Sequence, residues 1–431
     1  AAAMKQTAER RIKMTLGHIA VPTNSRNPTR KKSVQNEPRT EEKLKWNGWG
    51  YSDTAFKPNQ DGTILLTGSR YLYSGKELPH FRPWFEANLN INMTKDRQKH
   101  LPPPTEFPKP IRNEKFIKFL EANKCYAKMS FEGMDRLNHA HGHTLEETWQ
   151  LKNDIEAMMK RIPDIVLWPE CQKHVEAIVS QAHEHNVVII PFGGGTSVSE
   201  ALLCPRGERR MIVSMDMHEM DKVKWIDTEN LTACVEAGIV GDNLRRKLAD
   251  AGYVMGHEPD SSEFSTLGGW IATRASGMKK NVYGNIEDIV LAFTVVTPIG
   301  TLTRDLQVPR ISAGPDVQQM ILGSEGTLGV VTEAIVKVRP LPEVRKFGAV
   351  AFSCFEDGVA FMRDVAFHKC APASIRLVDN MQFMFGQALR PGKDTFLDYI
   401  QKQIKVLLLT KWYKFDLEKI AAVTMVFEGS K

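Results

Sequence analysis

An α+β chain is what this sequence predicts: a helical and loop region, a central mixed block whose strands end in glycine-rich loops, and the start of a mixed α/β second domain. Three observations carry that expectation. Ile162 to Pro169 is a short apolar run stopped by proline, Val175 to His185 has apolar residues at helical spacing (Val175, Ile178, Val179, Ala182), and Val187 to Ile190 is a second apolar run, so the order is β-α-β. The strands of the same block empty into three loops rich in glycine. Phe347 to Phe355 then alternates like a strand, Asp357 to Phe367 has helical spacing, and Ser374 to Val378 and Ala421 to Phe427 are further strands.

Composition narrows the class. The chain has 431 residues, enough for two or three domains, and ordinary hydrophobic and charged fractions of 42% and 25%. The net charge is +6, and much of it sits near the start at Arg10, Arg11, Lys13, Arg26, Arg30, Lys31 and Lys32. The rest is close to neutral, which excludes a nucleic-acid footprint. Six scattered cysteines with no CxxC pair argue against a disulfide framework or zinc ribbon. No apolar run is long enough to span a bilayer, and the sequons at Asn92 and Asn230 are read as chance matches.

Four regions are expected: a targeting leader and disordered linker over 1–44, a helical and loop region over 45–160, a cofactor domain over 161–341, and an incomplete substrate domain over 342–431. Val21 to Glu42 is polar and basic, as disordered segments are. Lys45-Trp46-Asn47-Gly48-Trp49-Gly50-Tyr51 reads as a docking loop or hairpin, and Glu114 to Leu120 as a helix. His139-Ala140-His141-Gly142-His143 is a candidate for metal, since alternate histidines can share an ion. With no further ligand beside it, the loop is taken as a polar connection before a helix starting at Thr144, and no metal is expected.

The central block carries the chemistry. The first loop is Pro191-Phe192-Gly193-Gly194-Gly195-Thr196-Ser197. Three residues without Cβ let the backbone turn sharply or touch a ligand, and successive N–H groups make a nest for an anion such as a phosphate or pyrophosphate. Strands follow at Met211 to Met215 and Leu231 to Gly238, and a helix at Val240 to Asp250. The second loop is Asp260-Ser261-Ser262-Glu263-Phe264-Ser265-Thr266 before Gly268-Gly269, with Ser265 or Thr266 able to cap a helix running through Ile271-Ala272-Thr273 that Arg274-Ala275-Ser276-Gly277 ends. Ile289 to Thr297 is a strand turned by Pro298-Ile299-Gly300. The third loop is Gly323-Ser324-Glu325-Gly326-Thr327-Leu328-Gly329, entering a strand at Val330-Val331.

Three such loops in this order resemble the FAD-binding domain of the vanillyl-alcohol-oxidase, or PCMH-type, flavoproteins. Longer strings resemble the alkyldihydroxyacetonephosphate synthase family: Lys45 to Tyr51, Arg161 to Pro169, Gly256-His257-Glu258-Pro259-Asp260, Thr273 to Asn281, and Cys370-Ala371-Pro372-Ala373-Ser374-Ile375-Arg376-Leu377. The resemblance implies a two-lobed PCMH-type FAD-binding domain followed by the substrate, or cap, domain. It implies that Pro191, Phe192, Gly193, Gly194, Gly195, Thr196 and Ser197 hold the FAD pyrophosphate. Asp260, Ser261, Ser262, Glu263, Phe264, Ser265 and Thr266, with Thr273, Arg274, Ala275 and Ser276, line the ribityl and flavin side. Glu325, Gly326, Thr327, Leu328, Gly329, Val330 and Val331 complete the pocket. Several relatives bind flavin through a histidine beside the first loop; Thr196 stands there instead, so noncovalent FAD is expected. The serines of the second loop can equally be plain helix caps.

The family exchanges the acyl chain of acyl-dihydroxyacetone phosphate for a long-chain fatty alcohol through a flavin N5 adduct, making alkyl-dihydroxyacetone phosphate for ether lipids. Arg376 matches an arginine the family needs, and a guanidinium suits a phosphate or oxyanion; the plain alternative is a strand arginine paired with Asp379. His257 beside Glu258 is either an acid–base pair or, the reading preferred, a structural neighbour of the flavin loop. Arg11-Ile12, five residues, then His18-Ile19 resembles the N-terminal peroxisomal nonapeptide, which implies an import receptor as partner and a place in the peroxisome lumen, membrane-associated. A homo-oligomer and peripheral membrane contact are also expected.

In the family the chain continues by about a third, with a proton-transferring tyrosine, a phosphate-binding arginine and a run of histidines. The expectation is therefore an unfinished substrate sheet with an unpaired edge, and a chain that holds FAD without turning over. Two other readings stay open: a flavin dehydrogenase or oxidase of 2-hydroxy acids, and a non-catalytic FAD- or lipid-binding protein.

Overall fold

The computed structural model describes residues 44–93, 101–304, 308–392 and 415–430. The leader, the targeting nonapeptide and the stretch Gln401 to Lys411, expected to face a core or a lipid tail, lie outside the described residues.

The N-terminal region begins as a small hairpin layer. Leu44 bridges Tyr51, so the Trp46–Tyr51 segment is a hairpin. Strands β1 (Phe56–Pro58), β2 (Ile64–Leu66) and β3 (Glu77–Leu78) pair antiparallel, and α1 (Phe81–Leu89) follows. Helix α2 (Glu114–Asn123) starts where Asn113 accepts a hydrogen bond from the Phe116 amide. It buries Phe116, Ile117 and Leu120. After β4 (Lys128–Ser130), α3 (Gly133–Asn138) leads to the histidine loop. Thr144 and Glu147 form the capping box of α4 (Leu145–Asn153), and α5 (Ile155–Met159) closes the region.

The first lobe contains β5 (Ile165–Trp168), α6 (Gln172–Glu184), β6 (Val188–Phe192) and β7 (Ile212–Asp216). The sheet order is β4-β5-β7-β6, with β5 and β6 each parallel to β7. The expected β-α-β unit is there, but β7 is inserted between its two strands. Strand β6 also runs on through Pro191 and Phe192, so two residues expected in the loop are strand. Proline is tolerated because β6 is the edge strand, where its missing N–H faces no partner. Helix α6 buries Val175, Ile178, Val179 and Ala182 against β5, β7 and α2.

The second lobe is an antiparallel sheet, β12-β11-β13-β9-β8. Its elements in chain order are β8 (Val223–Asp227), β9 (Thr232–Glu236), α7 (Gly241–Asp250), β10 (Tyr253–Val254), α8 (Leu267–Thr273), α9 (Lys280–Tyr283), α10 (Ile286–Ile289), β11 (Val290–Thr297), β12 (Gly300–Leu302), α11 (Gln318–Ile321), β13 (Val330–Lys337) and β14 (Arg339–Pro340). Strand β8 is not among the expected strands, because its Lys224 and Asp227 break the apolar alternation on a sheet edge. Thr297 pairs with Gly300 around the expected Pro298-Ile299 turn. Leu244, Leu248, Trp270 and Ile271 cover one face of the sheet. Val296 and Val330 belong to the core of the first lobe, which joins the two lobes along one seam.

The last layer holds β15 (Val344–Phe352), α12 (Phe355–Phe367), β16 (Ser374–Val378), α13 (Asn380–Ala388) and β17 (Ala421–Gly429), in sheet order β15-β17-β16. The opening β-α-β is again split, here by β17 running antiparallel between its strands. All six cysteines are free. No helix among the described residues is long and apolar enough to cross a membrane.

Candidate cofactor site

Three loops from the two lobes meet at one cleft of about 360 Å³. Its floor is the first loop, Pro191 to Ser199; one wall is the start of α8 with Ser261, Ser265 and Thr266; the other is Ser324 to Gly326 with Gly329, Val330 and Val331. Ala237, Met217 and Leu202 fill the back.

Local chemistry explains how each loop is held. Strand β6 delivers Gly193 beside the end of β7, where the Met217 amide donates to Phe192's carbonyl at 3.1 Å. A Cβ on Gly193 would lie 2.5 Å from Thr266 Oγ1, and one on Gly194 would overlap Phe264's carbonyl, so the first two loops touch where only glycine fits. Gly195 has φ +64°, a backbone shape that glycine adopts freely. Among the described residues no carbonyl accepts from the amides of Gly194, Gly195 or Thr196, which leaves them to an anion.

In the second loop the Thr266 hydroxyl accepts from the Gly269 amide at 3.3 Å and caps α8. Ser265 is used differently, since its Oγ accepts from Trp270 Nε1 at 2.7 Å and donates to Ser261's carbonyl at 2.9 Å. Arg274 ends α8 in the left-handed region at φ 50°. In the third loop the Glu325 amide donates to Ala272's carbonyl at 2.8 Å, and Glu325 Oε2 accepts from Ser199 Oγ at 2.7 Å, so a carboxylate ties the first loop to the third.

Not every expected residue faces the cleft. Asp260 turns to Arg376, Glu263 to the Tyr71 hydroxyl at 3.0 Å, and Phe264 to Trp49 and Tyr51. Arg274 lies 3.6 Å from Glu287. Ser262, Ser276, Thr327 and Leu328 stand beside the wall rather than in it.

The sequence reading missed the support behind the first loop. His139 and His141 are buried, not displayed on a polar connection. Glu147 fixes the turn by accepting from the amides of Gly142 and Thr144, both at 2.8 Å. The His143 amide donates to Ser197's carbonyl at 2.7 Å, and His143 Nδ1 donates to Gly195's carbonyl at 2.8 Å. Trp49 stacks edge-on against both His143 and Phe264, so the N-terminal hairpin clamps two loops at once. Deeper in, the fully buried Asp216 accepts from His139 Nε2 at 2.8 Å and His218 Nδ1 at 2.6 Å. Burial alone would raise its carboxyl, but His218 and His139 hold it well below the usual carboxylate range. No cluster of three or more metal-ligating side chains gathers among the described residues.

His257 and Glu258 do not form an acid–base pair. Glu258 goes to Lys279 at 2.6 Å. His257 packs edge-on against Trp270, neither ring nitrogen has a partner among the described residues, and burial pushes the imidazole down to about 4. Arg376 lies on β16, and its Nη2 donates to Asp260 Oδ1 at 3.1 Å and to Met278 Sδ at 2.6 Å. The alternative partner Asp379 instead caps α13 by accepting from the Gln382 amide.

Comparison with known proteins decides the family. A solved structure of alkyldihydroxyacetonephosphate synthase, crystallised in P1, superposes with a TM-score of 0.79 at 32% identity, over 90% of this chain and 71% of that one. The chain belongs to the alkyldihydroxyacetonephosphate synthase family. The synthase of Caenorhabditis elegans is 49% identical over 388 residues, which are 90% of this chain and 64% of that protein. The chain therefore spans just under two thirds of the length of that relative. A mitochondrial D-lactate dehydrogenase of Arabidopsis thaliana is 32% identical but over only 51% of this chain and 38% of its own. A family of FAD binding domains matches residues 163–305, and the C-terminal domain of FAD linked oxidases matches 341–431. The cofactor of this family member is FAD. The glycine floor and open amides suit a pyrophosphate, and the largely apolar walls, whose Glu325 carboxylate is held by Ser199, suit the rest of the dinucleotide.

Proposed function

We propose that this chain carries the cofactor-and-phosphate part of an alkylglycerone-phosphate synthase, which exchanges the acyl chain of acyl-dihydroxyacetone phosphate for a long-chain fatty alcohol. The observation that carries the reading is Arg376. The second domain brings this guanidinium to the second cofactor loop, where Asp260 and Met278 hold Nη2. Among the described residues Nε and Nη1 are left to a ligand, and the side chain is 51% exposed. A fixed, permanently charged fork binds the substrate phosphate or an oxyanion that develops during exchange.

The other residues take supporting roles. The amides of Gly193 to Ser197 bind the FAD pyrophosphate, the second loop and Thr273 to Ser276 flank the ribityl chain and flavin, and Glu325 to Val331 complete the pocket. No histidine or cysteine lines the cleft among the described residues, which supports noncovalent FAD. When bound, FAD would supply an electron-poor ring able to accept electron density from the dihydroxyacetone carbon. The reading extends to the peroxisome lumen through the nonapeptide Arg11 to Ile19, to peripheral contact with membrane lipid, and to a homo-oligomer.

The test is anaerobic. FAD-loaded protein is titrated with acyl-dihydroxyacetone phosphate and hexadecanol while the visible spectrum is followed. The reading expects a spectral response that needs Arg376 and ends with no net bleaching. Bleaching by D-lactate or glycolate, with no response to the ketone phosphate, would establish a 2-hydroxy-acid dehydrogenase instead.

A further inference from the structure

Strand β17 does two things at once. Its Thr424 pairs with Arg376 on β16, and four residues on, Glu428, still paired with Arg345 of β15, sends its side chain to the flavin-binding lobe. The Glu428 side chain is only 3% exposed and Lys279 only 4%. Glu428 Oε1 accepts from Lys279 Nζ at 2.7 Å, and Oε2 accepts from the Tyr283 hydroxyl at 2.8 Å. Lys279 Nζ also donates to Glu258 Oε1 at 2.6 Å. Arg345, on β15, lies 3.2 Å from Glu428 and 4.0 Å from Glu258. Two cations and two carboxylates are thus balanced across the junction, with Arg339 over the Tyr283 ring at 5.2 Å.

This cluster grips the same chain segments that hold Arg376. Glu258 is two residues before Asp260, and its carbonyl accepts from the Met278 amide at 2.9 Å. Met278 and Asp260 are Arg376's two partners. The sheet bearing Arg376 is therefore tied to one flavin-lobe segment at two points. A buried ion pair is a weak source of stability, because desolvation offsets the attraction; what it supplies is a fixed register.

We infer that Glu428 and Lys279 are positioning residues which set Arg376 against the cofactor loop at Asp260 for a phosphate-bearing substrate. The inference deepens the functional reading above and rests on it for the substrate class alone. The test uses FAD-loaded protein and the variants Glu428→Gln and Lys279→Met. The first readout is amide hydrogen exchange. Exchange should rise at least tenfold in residues 256–262 and 374–378 and stay unchanged in the first loop at 191–197. The second readout is the affinity for dihydroxyacetone phosphate, expected to fall about tenfold while bound FAD is retained. Unchanged exchange at 374–378 would overturn the inference, and so would a uniform rise across the chain. If the wild-type protein binds no dihydroxyacetone phosphate yet the exchange pattern appears, the positioning role stands and the substrate reading fails. Should a single variant not fold, K279M/E428M removes both charges together and must show the same local loss.

Discussion

Acidification should loosen this protein through His257, by an amount that follows from its burial. The imidazole has no hydrogen-bond partner among the described residues, and its pKa falls from 6.5 to about 4. A group depressed in this way is neutral in both states above pH 6.5. Below that, the unfolded chain takes up the proton and the folded one does not, so stability is lost progressively until about pH 4. One pKa step is worth about 1.4 kcal/mol, so moving from about pH 7.5 to about pH 5 removes roughly 2 kcal/mol through His257 alone. Other groups titrate over the same range, so the comparison is with His257→Phe, which keeps the edge contact to Trp270 and removes the proton site. Urea unfolding at both pH values with saturating FAD gives four free energies. The wild type should lose about 2 kcal/mol more than the variant. Equal losses would refute the reasoning and mean that the ring is protonated, or finds a partner, inside the fold.

Three further outcomes are expected. Gly194→Ala places a Cβ on Phe264's carbonyl; the protein should fold but retain at least tenfold less FAD, measured by flavin fluorescence on dilution. Trp49→Ala removes the edge contacts to His143 and Phe264; FAD affinity should fall by a factor of about 5 to 30, matching the roughly 1–2 kcal/mol of such contacts, with no change in the far-ultraviolet spectrum. Asp216→Asn strands two histidines around a buried amide; about 3–5 kcal/mol of unfolding free energy should be lost, read from urea midpoints at neutral pH.

What the sequence showed and what it hid divide along a physical line. Features set by local periodicity were legible: α6 from Val175, Ile178, Val179 and Ala182, β16 from Ser374 to Val378, and the three glycine loops. Pairing order was not, because β7 sits between β5 and β6, and β17 between β15 and β16, through contacts that no spacing rule contains. Strand β8 escaped because an edge strand with Lys224 and Asp227 lacks the apolar signal. The largest surprise was the histidine loop. Its sequence reads as a polar connection before a helix, yet Glu147, placed by a capping box the sequence does display as Thr144-Leu145-Glu146-Glu147, folds the turn inward onto Gly195 and Ser197. The partner of Arg376 was likewise hidden, since Asp379 is near in sequence and Asp260 is near in space.

The central claim is that three loops from two lobes form one noncovalent FAD cradle. The most direct measurement is the visible absorbance spectrum of the purified protein, repeated on the supernatant and pellet after acid precipitation. The account predicts a yellow protein whose flavin leaves with the supernatant. Colour that stays in the pellet would contradict noncovalent binding, and a colourless protein that takes up no added FAD would contradict the cradle itself.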